Sequence, residues 1–154
     1  MRVRFLLAAF LIFSFNPADA QSAEDSVKNV IQLFFKGMKL ADTSIIREAI
    51  APTALLQTIE TNRQGRSSVK DESINEFLKV VSALKPGTAD EKIEFAHIQI
   101  DGPLASVWTP YQFFYEGKFS HCGINSFQLV RLGVNWRIQY IIDTRRKINC
   151  NSSR

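Results

Sequence analysis

The sequence is poor in the residue types that most often carry recognisable chemistry. It has 2 histidines and 2 cysteines in 154 residues, and their spacing matches no zinc finger or ribbon. Its 7 glycines are scattered, so no phosphate-cradling loop is present. No Ser-His-Asp order, metal cluster or pair of catalytic carboxylates can be assembled from the spacing. Charge is modest, with a net +4, and the only basic tract is Arg145-Arg146-Lys147, which leaves nucleic-acid binding without a footprint. The longest apolar run, Phe5 to Phe15, falls far short of the roughly 20 residues that span a bilayer, so no membrane anchor is expected.

That short run nevertheless has a meaning. It follows a basic start, Met1-Arg-Val-Arg4, and precedes Ala18-Asp19-Ala20, a small-x-small cleavage pattern before Gln21. This is the make-up of a secretory signal peptide. The expectation is a signal peptide at 1–20, cleaved near Ala20, and a single domain at 21–154, secreted or periplasmic. Cleavage removes Arg2, Arg4 and Asp19 and leaves a net charge of +3. In an oxidising compartment Cys122 and Cys150 form an even pair that suggests a bridge, worth about 3 kcal/mol for a loop of this order. No metal and no cofactor is expected.

Helical spacing of Val27, Val30, Ile31, Phe34, Phe35 and Met38 behind a Ser22 cap predicts a long amphipathic helix. A shorter helix starting at Asp42 or Thr43 ends before Pro52, and a short strand fits 54–59. The polar stretch 61–68 reads as a loop. Asp71 caps a third helix facing inward through Ile74, Phe77, Leu78 and Val81. From Lys92 onward β-branched and aromatic runs predict strands at 93–100, 104–115, 118–132 and 136–144. They are joined by two-residue turns at Asp101-Gly102, Glu116-Gly117 and Gly133-Val134. Helices first and a meander last indicate an α+β domain with helices covering one face of a curved sheet.

If each turn is a two-residue loop, opposite residues share a face and the faces follow by arithmetic. One face then collects Phe95, His97, Ser106, Trp108, Gln112, His121, Asn125, Phe127 and Tyr140, with Leu129, Ile138 and Ile142. This mixture of apolar and hydrogen-bonding groups suits a small-molecule cavity. The other face carries Ile98, Ala105, Val107, Tyr111, Phe113, Cys122, Ile124 and Val130, apolar enough to call for a partner, most simply a second copy of the chain. No Asp or Glu is expected to point inward, and Asp143 is expected to pair with Arg145 or Arg131.

The segments Val107-Trp-Thr-Pro-Tyr111, Gly117-Lys-Phe-Ser-His-Cys-Gly123 and Asp143-Thr-Arg145 resemble the nuclear transport factor 2-like superfamily, in particular the bacterial branch labelled lumazine-binding or SnoaL-like. The resemblance spans the mature chain. It implies a cone-shaped domain, N-terminal helices packed on a strongly curved antiparallel sheet, with a cavity inside and frequent dimerisation through the outer sheet face. Fold alone does not bring function. The first expectation is an exported domain that binds a small, partly apolar molecule and forms a homodimer. The alternatives are a lyase or isomerase using His121 or His97 as acid/base, and a protein-interaction module whose cone is filled by side chains.

Overall fold

The computed structural model describes residues 17–62 and 64–150. The basic start and apolar run read as a signal peptide lie outside the described residues. Helix α1, Pro17–Leu40, buries Val27, Ile31, Phe34, Phe35 and Met38 along one stripe. Helix α2, Thr43–Ala49, is capped by Asp42, whose carboxylate accepts the Ser44 N–H at 2.9 Å and so satisfies a donor left open at the helix start. Gly37 lets the two helices touch, because a Cβ there would lie 2.6 Å from Ile46 Cγ1. Among the described residues no helix is long and apolar enough to cross a membrane.

The sheet has seven strands: β1 Ile50–Thr61, β2 Ser67–Glu72, β3 Ala89–Ile93, β4 His97–Asp101, β5 Leu104–Tyr115, β6 Lys118–Leu132 and β7 Asn135–Thr144. Helix α3, Ile74–Ser82, lies between β2 and β3. The order is β2-β1-β7-β6-β5-β3, with β4 also on β5. The pairing is antiparallel except that β1 runs parallel to β7. The helices cover the inner face, where Phe127, Leu129 and Ile138 are fully buried against Ile31 and Ile46. Phe34 stacks on Phe77 at 5.7 Å, and Phe35 meets Phe127 edge-on at 6.0 Å, which joins α1 to α3 and to the sheet.

Several expectations from the sequence are corrected. The stretch 61–68 is only partly loop, because β2 begins at Ser67 and pairs with β1. Asp71 therefore belongs to a strand, and Ser73 occupies the N-cap of α3. The run 93–100 splits into β3 and β4, both on β5. The split falls opposite Pro110. Its carbonyl accepts from Glu94 N at 3.0 Å, so the N–H that proline lacks would have pointed to the same neighbour, and the ladder breaks there. The first turn is Gly102-Pro103, since Asp101 pairs with Leu104; a two-residue shift of this kind leaves the faces unchanged.

Three one-residue shifts do change the faces. In the first, Glu94, Phe95 and Ala96 stand opposite only Thr109 and Pro110 of β5, which leaves Glu91 inside and His97 outside. Between the pairs Phe114–Phe119 and Phe113–His121, Ser120 is an extra residue on β6. Between Leu129–Ile138 and Gln128–Tyr140, Gln139 is an extra residue on β7. Each reverses the in-out alternation of what lies beyond it. Ala105, Val107, Tyr111 and Phe113 accordingly belong to the interior, with Ile98 packed beside them. The outer face presents Trp108 and Leu104, both about half exposed, with Leu55 more open still.

Past β7 the chain continues beside β6 in the same antiparallel register, with the Thr144 carbonyl lying across Gly123. Cys122 and Arg146 exchange both backbone hydrogen bonds at 2.8 Å, and a disulfide joins Cys122 to Cys150. Gly123 permits this close approach, because a Cβ would strike the Thr144 carbonyl and the Tyr111 ring. Replacing Gly123 by Ala is expected to cost at least about 2 kcal/mol of stability, read from urea unfolding; a loss below about 0.5 kcal/mol would show that the close approach does not constrain this position.

Candidate functional site

Between α1, α3 and the inner face of the sheet lies a cavity of about 250 Å³ that opens to solvent. Its apolar walls come from Phe34, Phe35 and Met38 of α1, Phe77 and Val81 of α3, and Phe113 and Phe127 of the sheet. At one end the wall turns polar, with Glu72, Glu91, His121, Asn125, Asp143 and Arg145. The strand alternation explains this gathering. Glu91 pairs with Phe113, Phe113 with His121, and Asn125 with Asp143 across successive strands, so all share the inner face.

Asp143 organises the polar end. The Arg145 Nε–H donates to its Oδ2 at 2.8 Å, and the Thr58 hydroxyl donates to its Oδ1 at 2.5 Å. Arg145 Nη2 also donates to Thr58 Oγ1 at 2.9 Å. The Tyr111 hydroxyl stands 3.1 Å from Oδ2 and 3.0 Å from the Thr144 carbonyl oxygen. Burial, followed by the charge of Asp143, raises the Tyr111 pKa, so this phenol remains protonated. Burial opposes the charge on Arg145, but the hydrogen bond and charge of Asp143 outweigh it and raise the guanidinium pKa.

Glu91 is treated differently by its surroundings. Its Oε1 accepts from Asn125 Nδ2 at 2.8 Å. Burial pushes its pKa up to about 7, assisted by the charge of Asp143 and opposed by the Asn125 hydrogen bond and by Arg145. Burial also lowers the His121 pKa, with Arg145 acting in the same direction. That imidazole is therefore neutral at pH 7. It rests edge-on to Tyr111 at 5.7 Å, with Nδ1 3.1 Å from the Ser120 hydroxyl. The cavity thus holds one carboxyl group poised to gain or lose a proton near neutral pH beside a second that is fixed in an ion pair.

The architecture has close counterparts among solved structures. An NTF2-like protein of unknown function from Shewanella baltica OS155 superposes with a TM-score of 0.63 at 17% identity, over 82% of this chain and 95% of that one. An NTF-2 like protein of unknown function from Silicibacter pomeroyi DSS-3 gives 0.65 at 11% identity, over 82% and 98%. The fold is the NTF2-like fold. A protein of unknown function with a cystatin-like fold from Nostoc punctiforme PCC 73102 is also similar, at 0.62 and 11% identity, over 80% and 90%. No family model matches the sequence, and no curated protein matches it either.

Within this NTF2-like cone the residues expected to line a pocket divide. His121, Asn125 and Phe127 line the cavity. Phe95 packs at the core margin, with Lys28 Nζ 5.9 Å from its ring. His97 pairs with Trp108 on the outer face, and both are exposed. Ser106 and Gln112 share that outer parity of β5 with Trp108; Ser106 accepts from Gln128 Nε2 at 2.7 Å. Tyr140 also lies outside, its hydroxyl donating to Gln57 Oε1 at 2.5 Å. The bulges at Ser120 and Gln139 account for the displacement of Ser106, Trp108, Gln112 and Tyr140 relative to Asn125 and Phe127. The expectation of no inward acid is corrected by Glu91 and Asp143. Glu91 carried no signal beyond alternation in Ala89–Ile93, a strand missed at its start, whereas the Asp143–Arg145 pair follows the sequence reading.

Glu91 makes stability depend on pH. The folded chain keeps this proton to about pH 7, whereas an unperturbed glutamate releases it near 4.5, so between those values the folded state binds more protons. Stability from this group is full below 4.5 and is lost as pH rises through 7. Replacing Glu91 by Gln is therefore expected to gain on the wild type between pH 4.5 and 8, by up to about 3 kcal/mol. Chemical denaturation of both proteins at several pH values checks this, and a difference that stays constant would contradict it.

Proposed function

We propose that this chain is an exported domain that binds one small, partly apolar molecule in the cavity between its helices and its sheet. The observation that carries this reading is the cavity's division into an aromatic and aliphatic body and a single polar end, the usual make-up of a ligand site. The resemblance of Trp108-Thr-Pro-Tyr111 and its neighbours to the lumazine-binding and SnoaL-like branch supports a small-molecule role and leaves the ligand open. The signal-peptide pattern and the Cys122–Cys150 disulfide support export to an oxidising compartment. The exposed side chains of Leu55, Leu104 and Trp108 support a homodimer through the outer sheet face.

Native mass spectrometry of the protein from its own compartment is expected to show a dimer carrying one small molecule per chain. A Leu84→Trp variant, which fills the cavity wall, should lose that molecule while keeping its circular dichroism. A chain that is empty across independent preparations, or a variant that retains the molecule, would overturn the reading.

Proton-transfer catalysis is the second reading, favoured by Glu91, whose pKa of about 7 suits a general acid or base. It replaces the sequence-based choice of His97, which lies on the outer face, and ranks Glu91 above His121. On a substrate identified from the co-purified molecule, Glu91→Gln should lower kcat at least about a hundredfold, whereas His121→Gln should act less. Equal turnover by Glu91→Gln and wild type would remove it.

A further inference from the structure

The hydrogen-bonding groups at the polar end of the cavity are unevenly committed. Thr58, Tyr111 and the Nε and Nη2 groups of Arg145 all turn toward Asp143 or one another. The Asn125 amide nitrogen is committed to Glu91 Oε1. Apart from His121 Nε2 and Arg145 Nη1, the principal donors are thus engaged by the protein, while acceptors remain. Oε2 of Glu91 and Oδ1 of Asn125 take no protein hydrogen bond among the described residues. The charges lean the same way, with three carboxyl groups on the lining, Glu72, Glu91 and Asp143, against the single guanidinium of Arg145.

A ligand completes such a site by donating hydrogen bonds and, better, by bringing positive charge. An anion would face the carboxyl groups with only two groups left to meet it, the neutral His121 ring and Arg145 Nη1, on a guanidinium whose charge Asp143 already offsets. Size adds a second limit. A dry cavity of about 150 Å³ accommodates a benzene molecule, so about 250 Å³ suits one ring with a short side chain.

We propose that the cavity selects an apolar molecule bearing one protonated nitrogen, of arylalkylamine size. The nitrogen rests on Glu91 and the Asn125 carbonyl oxygen, and the ring lies among Phe34, Phe77 and Phe127. This rests on the ligand-binding reading above and names the ligand's chemistry. The groups that surround Glu91 are Tyr111 on β5, His121 and Asn125 on β6, Asp143 on β7, Arg145 beyond it and Glu72 on β2; the helices present only apolar side chains to the cavity. A bound cation holds Glu91 ionised, so binding below pH 7 expels its proton.

Isothermal titration of the disulfide-bonded protein with 2-phenylethylamine, 2-phenylethanol and phenylacetate, between pH 5.5 and 8.5, tests this. The amine should bind about tenfold or more tightly than the alcohol at pH 8, with phenylacetate weakest. Amine affinity should fall toward about tenfold per pH unit below 7, with release approaching one proton, read in buffers of different ionisation enthalpy. In Glu91→Gln the amine and alcohol affinities should agree within about twofold, and the pH profile should flatten. Binding of the alcohol without preference for the amine, or tighter binding of phenylacetate, would overturn this inference and leave ligand binding standing. An amine profile unchanged by Glu91→Gln would overturn it as well. Failure of all three probes to bind would count against both.

Discussion

Asp143 is the point at which three parts of the chain are tied together. Its two oxygens receive Thr58 from β1, Tyr111 from β5 and Arg145 from the segment that leaves β7. A buried carboxylate is costly unless its lone pairs are met by donors, and here they are met from both sides of the strand that bears it. The same bonds hold Arg145 against the cavity and leave few donors uncommitted at its polar end. The close approach at Gly123, the paired backbone of Cys122 and Arg146 and the disulfide to Cys150 all act on the segment that carries Arg145.

The contrast between Asp143 and Glu91 follows from those commitments. Both are carboxyl groups on the inner face of one sheet, and the charge of Asp143 adds to the rise in the Glu91 pKa. Asp143 is compensated by a guanidinium and hydroxyl donors, whereas Glu91 has one amide donor, so burial dominates its protonation. Environments that separate two nearby carboxyl groups in this way assign them different tasks. Asp143 acts in the framework, and Glu91 is the group left able to respond to a ligand or to a proton.

The apolar body of the cavity keeps Glu91 in this condition. Phe34, Phe35 and Phe127 are well buried, and Phe77 extends the stack from α3. The helices contribute packing alone. The sheet contributes packing and, together with Arg145 just beyond β7, every ionisable group on the lining, a division that follows from alternation along the strands and from the bulges.

Local sequence determined a good deal of this protein. Period marked the three helices, with Val27 to Met38 as a buried stripe, because a 3.6-residue repeat shows within a short window. Of the caps read from sequence only Asp42 held, since α1 begins at Pro17 ahead of Ser22 and Ser73 replaces Asp71. Glu116-Gly117 and Gly133-Val134 marked two of the turns, and with the resemblance they led to an α+β cone. Tertiary structure alone decided which strand face turned inward. Single extra residues at Ser120 and Gln139 leave no trace in composition or alternation, yet each exchanges the two faces for everything beyond it. That is why Asn125 and Phe127 lie inside with Tyr111 and Asp143, while Trp108, Gln112 and Tyr140 lie outside. The partners of β1, β2 and β3 were likewise beyond local reading, because a strand's neighbour is chosen by contacts distant in sequence. Glu91 became the centre of the site only when the folded chain set it beside Asn125 on the half-buried wall of the cavity.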